Sequence, residues 1–334
     1  MKTIFTDYPF FLLPPIIQAE MIYYPIIAVL GILANVISIV ILSRGKCGLS
    51  KCVSRYLVAM AAADLLVAVI DVLLYRINHL FFPTTFLFIT QVCSFHKALN
   101  HAVTDISVWL TLSFTLDRYL MICCHKLRSR FCTEKTAARV IATVCPLFCC
   151  KNIPWYFAFE PSISIHNVAW GCNIKQEFYI EPTWILFTWI HRCFTPLLPM
   201  FLILLLNALT VGHILKASQV RKNLRGSKNG ANQNDAELES RRKSIILLFA
   251  ISGNFIMLWM TYFIYFLWTQ ITTRFYFTGL SDPSLIADET SYMLLLLSCC
   301  TNTCIYAVTQ SKFREELKTG MTYLPRIMSK CVKE

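Results

Sequence analysis

Between Cys93 and Leu120 the chain reads C-S-F-H-K-A-L-N-H-A-V-T-D-I-S-V-W-L-T-L-S-F-T-L-D-R-Y-L. The stretch is apolar enough for a bilayer, yet it carries Asn100, His101, Asp105, Ser107, Asp117 and Arg118. Read as one α-helix, the 25 steps from Cys93 to Arg118 cover about 37 Å at the helical rise. A hydrocarbon core is about 30 Å thick, so the two residues are expected at opposite membrane faces. A cysteine at one face, a polar middle and Asp-Arg-Tyr at the other describe a helix linking an outside event to an inside one. Ionisable residues inside a membrane are costly and mark function by default. The alternative is a buried helix of a soluble protein, and the rest of the chain excludes it.

Of 334 residues, 56% are AVILMFWYC and 15% are charged, against about 25% charged in a soluble domain. Seven apolar segments run over approximately 22–43, 54–77, 90–123, 137–159, 184–215, 241–270 and 287–309, each meeting the roughly 20 residues a crossing needs. The basic residues orient them. Four lie between the first and second segments, five between the third and fourth, eight between the fifth and sixth, and six beyond the seventh. These are 23 of the 31 Lys and Arg, and the positive-inside rule assigns them to the cytoplasm. The net charge of +12 is therefore topological, no nucleic-acid partner is expected, and the N-terminus is outside. No signal peptide opens the sequence, so the first helix is expected to serve as its own insertion signal. The 15 cysteines form no CxxC pair and mostly sit in apolar runs, which argues against a zinc site.

The expectation is an all-α membrane protein, a seven-helix bundle with a short amphipathic helix after helix 7. An extracellular segment covers 1–21, the bundle 22–309, and a cytoplasmic helix and tail 310–334. In that tail Phe313 and Leu317 are spaced to lie in the headgroup layer. The Gly/Asn/Ser-rich stretch 225–240 between helices 5 and 6 reads as a mobile loop.

Several marks stand in register along this frame. Gly31-x-x-x-Asn35 lies in helix 1, A-A-A-Asp64-L-L in helix 2, and Cys93 tops a helix 3 that closes on Asp117-Arg118-Tyr119. Cys172 precedes helix 5, Pro199 is within it, Phe255 and Trp259 are in helix 6, and Asn302-x-x-x-Tyr306 ends helix 7. Together they resemble the rhodopsin-like (class A) G-protein-coupled receptors over residues 20–320. The texture of W-I-H-R-C-F-T at 189–195 and N-T-C-I-Y-A-V-T-Q-S-K-F-R-E-E-L-K at 302–318 is similar to the orphan G-protein coupled receptor 139 group. The chain departs from the wider pattern at Thr261 and Thr303, where prolines are usual, and at Asn207, where helix 5 usually has tyrosine. Helix 4 also lacks its usual tryptophan. Helices 6 and 7 are accordingly expected to be straighter or to bend differently.

The resemblance implies a plasma-membrane receptor that senses an extracellular small or peptide-like ligand and activates a heterotrimeric G protein. It implies a coupling switch of Asp117, Arg118, Tyr119, Asn207 and Tyr306, and a disulfide between Cys93 and Cys172. Arg241 stands where the family has an acidic latch for Arg118, and like charge weakens the resting restraint. Asn35, Asp64, Ser107, Ser298 and Asn302 form a polar core offering oxygen ligands to Na⁺, hydrogen bonds to a protonated acid, or plain polar packing. No cofactor or metal is expected beyond that sodium. The ligand pocket is read as Asn100, His101, Thr104, Asp105, His191, Arg192, Trp259, Tyr262, Phe263, Phe266 and Tyr292, an aromatic cage with a few polar anchors. Trp184 and Trp189 read instead as interfacial belt residues.

Rival classes lack their marks. A channel or transporter wants paired repeats and helices broken at the midplane, an intramembrane enzyme a motif such as H-E-x-x-H, and a retinal protein a lysine near Leu296. A non-signalling decoy or scaffold receptor is the surviving alternative, because of the absent prolines.

Overall fold

Seven stretches long and apolar enough to cross a membrane are helical in the computed structural model, which describes residues 10–82, 84–225, 235–272, 277–279 and 281–320, with only the backbone for 125, 218, 220–225 and 235–241. They are α1 (Pro15–Ser43), α2 (Lys51–Phe81), α3 (Thr90–Cys123), α4 (Glu134–Ala158), α5 (starting at Pro182 and closing with Leu198–Arg225), α6 (Asp235–Thr272) and α7 (Pro283–Thr309). Residues 311–320 form a further helix, α8, whose Phe313 is fully buried against the bundle. The Gly/Asn/Ser-rich loop expected to be mobile lies largely outside the described residues, as do Arg241 and the end of the tail.

Capping chemistry sets several helix starts. Ser50, Thr133 and Asp282 accept backbone N–H bonds from Val53, Thr136 and Ser284, each satisfying a donor the first turn leaves orphaned. Backbone N–H groups of Thr278 and Ser284 pull the Asp282 carboxyl down to about 2. The largest difference at a helix start is in α1, which begins at Pro15 rather than 22. Proline suits a first turn because its missing N–H would be unpaired there anyway, and Ile16 and Ile17 are buried.

Among the described residues two helices contain a π segment, and α4 tightens to 3-10 geometry over Ile153–Ala158. In α2 residues Ala68–Ile77 adopt π geometry, and in α5 Cys193–Leu197 do so around Pro196. Such turns recur at functional sites, and both lie at the Cys93 end of the bundle. Helices α6 and α7 run uninterrupted, as the missing prolines imply. In the proline's place, Thr303 donates to the Ala34 carbonyl at 3.0 Å and is 2.8 Å from Ser38 Oγ, tying α7 to α1.

The segment from α4 to α5 carries four short strands. β1 (Phe159–Glu160) pairs with β4 (Asn173–Ile174), and β2 (Ile163–Ile165) with β3 (Val168–Trp170), all antiparallel. His166 and Asn167 turn the second hairpin with φ of 49° and 62°, the backbone a two-residue hairpin turn requires. Gly171 has φ +89°, and a Cβ there would fall 2.2 Å from Ser162 Oγ, so only glycine fits. Next to it, a disulfide joins Cys172 to Cys93 at the top of α3. Non-reducing peptide mapping should recover the two cysteines in one linked fragment, and two free thiols would contradict the structure.

Candidate functional site

The Cys93 end of the bundle holds a ladder of rings and cations. His101 of α3 stacks on Trp155 of α4 at 4.1 Å, and His191 of α5 meets both edge-on at 5.2 Å. One residue on, the Arg192 guanidinium donates to the Tyr262 hydroxyl and lies 5.0 Å over the Phe266 ring. Tyr262 contacts Trp259 at 6.5 Å and Tyr292 at 6.1 Å, and Arg76 covers Tyr292 at 4.2 Å. Asn100 is buried and Thr104 and Phe263 half-buried. Asn100 Oδ1, His191 Nδ1 and Arg192 Nε have no hydrogen-bond partner, so binding capacity is left unspent in this region.

Two expectations are corrected here. Asp105 does not join the pocket residues. It is buried against α4, where its Oδ2 accepts from Lys151 Nζ and Asn152 Nδ2, each at 2.7 Å. A carboxylate at that depth takes the nearest charged partner, and the end of α4 supplies it. Trp184 is not simply a belt residue, since it packs on Phe178 and Phe187 in the cluster around Trp155.

At mid-bundle, Asp64 of α2 is buried and accepts from Ser107 Oγ at 2.6 Å and Asn302 Nδ2 at 2.7 Å. A small cavity of about 20 Å³ opens beside it, lined also by Thr111, Asn254, Trp259 and Ser298. The Ser298 hydroxyl donates to the Leu295 carbonyl, leaving its oxygen lone pairs free to the cavity. A carboxylate with hydroxyl oxygens around a void suits a small hard cation. Asn35 stands apart from this set. Its amide is spent on the Gly31 and Cys299 carbonyls, bridging α1 to α7.

At the opposite end, Asp117 and Arg118 are 6% and 4% exposed and paired, with Arg118 Nε 3.0 Å from Asp117 Oδ2. Cys52 Sγ donates to Asp117 Oδ1 at 3.1 Å, and Cys132 Sγ to its carbonyl at 3.5 Å. Burial and the Asp117 charge push the Cys132 thiol up to about 11, so it remains a neutral donor. Tyr119 is half-buried. Tyr306 is buried with its hydroxyl unpartnered, its ring 5.9 Å from Phe313 of α8, and Asn207 Oδ1 is likewise unpartnered. The Arg241 side chain, with those of Glu237 and Glu239, lies outside the described residues.

Sequence reading passed over Trp155, Lys151 and Asn152, and a charged group at the Cys93 end formed by Glu20, Asp71, Arg76 and Glu289. Arg76 donates to Glu289 Oε2 at 2.8 Å, and Tyr292 donates to Asp71 Oδ2 at 2.6 Å. The signal was available, because Asp71 and Arg76 interrupt an apolar run within a single helix.

A family model described as 7 transmembrane receptor (rhodopsin family) matches residues 34–306. An FMRFamide receptor of Drosophila melanogaster is 25% identical over 86% of this chain and 51% of its own length. A C-C chemokine receptor type 1 of Macaca fascicularis is 23% identical over 92% of the chain and 78% of its own length. A thyrotropin-releasing hormone receptor of Homo sapiens is 26% identical over 46% of the chain and 39% of its length. The chain thus spans about half the length of the FMRFamide receptor it matches.

Proposed function

The chain belongs to the rhodopsin family of seven-transmembrane receptors, and from that premise we propose that it senses an extracellular small or peptide-like ligand and activates a heterotrimeric G protein through the Arg118 end of α3. The family is one of multi-pass membrane receptors rather than enzymes. The proposal places the N-terminus and the Cys93 end outside and the Arg118 end in the cytoplasm, in keeping with the basic loops. The observation that carries it is the buried Asp117–Arg118 pair closing α3, with unpartnered polar atoms on Asn207 and Tyr306. A guanidinium that leaves one buried carboxylate needs another partner at once, since an unpaired buried charge is expensive. An opened cytoplasmic cavity and an incoming helix of the G protein, packed by its apolar face, supply that partner. The narrower likeness to the orphan G-protein coupled receptor 139 group is part of this reading and rests on the motifs around helices 5 and 7.

The Thr303 ties between α7 and α1 favour a second reading, a decoy or scaffold receptor whose helix 7 does not move. Nucleotide exchange by purified receptor across a panel of G proteins separates the two. Ligand-free or ligand-driven GTPγS uptake supports the signalling reading, and background rates with every G protein, in the presence of a ligand shown to bind, support the decoy.

Sodium at Asp64 is proposed with it, held by Asp64, Ser107 and Ser298 and supplying charge to the cavity beneath Trp259. An ion that binds one conformation better shifts the population toward it. In the parent protein Na⁺ is expected to raise thermal stability more than K⁺ does, and Asp64→Asn to remove the difference. Equal melting in the two salts would overturn the sodium site.

A further inference from the structure

Three carboxylates crowd one guanidinium where α1, α2 and α7 meet at the Cys93 end. Arg76 of α2 spends Nη1 on Glu289 of α7 at 2.8 Å, and its Nε lies 3.8 Å from Asp71 Oδ1. Glu20 of α1 is buried and within hydrogen-bond reach of Glu289. Tyrosine rings wall the group, with Tyr292 at 4.2 Å from the guanidinium carbon and Tyr24 and Tyr75 at 5.6 Å. Asp71 and Tyr24 are completely buried, yet Asp71 Oδ1 and Tyr24 Oη have no hydrogen-bond partner.

The imbalance has a direction. One guanidinium offsets one of the three carboxylates, Lys97 lies apart on the Tyr75 face, and Glu20 and Glu289 approach each other only with a proton or another positive group between them. Asp71 Oδ1 and Arg76 Nε face each other at 3.8 Å, beyond hydrogen-bond distance, and neither has another partner. What the group lacks is positive charge with N–H donors, so an anion is the wrong guest even though Arg76 is present. The tyrosine faces suit cations and already carry two, Arg76 over Tyr292 at 4.2 Å and Lys97 over Tyr75 at 3.4 Å. The Glu289 and Arg76 side chains are 23% and 17% exposed while Asp71 is 1% exposed, so the mouth is charged and reachable and the floor is an acid.

We propose that Glu20, Asp71 and Glu289, arranged around Arg76, form a subsite for a cationic group of the ligand, an ammonium or guanidinium. The proposal rests on the receptor reading above and specifies the chemistry at one end of its pocket. The cation would take the place of the direct Glu20–Glu289 contact, beside the Arg76 guanidinium and above Tyr24 Oη, with the ladder from Tyr292 to Arg192 leading toward α5.

The test uses two probes of one shape on the purified full-length receptor. Nα-acetyl-arginine amide carries the guanidinium, and Nα-acetyl-citrulline amide replaces it with a neutral urea. The arginine probe is expected to bind at least about tenfold more tightly, as charge-assisted bonds require. The difference should collapse in Glu20→Gln and in Asp71→Asn, each checked for an unchanged melting temperature. Equal binding of the two probes to the parent protein overturns the proposal without reference to any variant. Survival of the full difference in both variants also overturns it. Because the readout is probe binding, a negative result leaves G-protein coupling untouched, and absent nucleotide exchange leaves a positive result standing.

Discussion

Replacing Lys151 by methionine is expected to destabilise the folded protein by about 3 kcal/mol. Asp105 is 1% exposed, and one of its oxygens takes both Lys151 Nζ and Asn152 Nδ2. Removing one partner of a buried pair typically costs about 3–5 kcal/mol, because the remaining charge is left uncompensated. The Asn152 amide survives in the variant, which places the loss at the low end. The converse change should be milder. In Asp105→Asn the ammonium is left on a flexible stem whose side chain is 16% exposed and can swing toward water, at a cost of about 1 kcal/mol. Removing both charges in Asp105→Leu with Lys151→Met should recover most of the loss, since buried ion pairs are often replaced by apolar groups without penalty. Thermal unfolding of the three variants in detergent decides it. If all three melt together, the pair contributes nothing.

That pair also marks where the sequence was legible and where it was not. The seven spans and the basic loops follow from composition alone, because a bilayer admits few structures in which every backbone group is paired. Asp64, Ser107 and Asn302 were grouped by resemblance to the family's positions, and they touch in the structure. Asp105 was assigned to the pocket by helical register alone. Period fixes the face of α3, but not which neighbour that face meets, and α4 carried no motif by which to place it. Lys151 and Asn152, at the end of α4, are the partners of Asp105. The group around Arg76 was missed for a different reason. The π turn over Ala68–Ile77 breaks the helical period, so register counted from Asp64 does not carry to Asp71 and Arg76.

The largest functional effect belongs to Arg118. The double variant Asp117→Asn with Arg118→Ala is expected to fold and reach the membrane, yet to lose nucleotide exchange altogether. Both charges are removed because Asp117 is 6% exposed, and alanine at Arg118 alone would leave its carboxylate with only the Cys52 thiol on its side-chain oxygens. In the resting protein Arg118 has Asp117, and the family's second acid is replaced by Arg241. A restraint on Arg118 from a surface acid is worth at most about 1 kcal/mol. A restraint of that size, when absent, raises the open population about fivefold. Arg241→Glu is therefore expected to lower ligand-free exchange about fivefold, while Arg118 variants abolish it. The uninterrupted helix α6 works in the opposite sense, because no proline loosens its hydrogen bonds at Thr261. Ligand-free exchange measured on the parent and Arg241→Glu weighs the two effects directly. Equal, near-background rates in both mean that the straight helix dominates and the latch argument fails. A parent rate well above that of Arg241→Glu, and none in the Arg118 variant, places control of coupling in the charge at position 241.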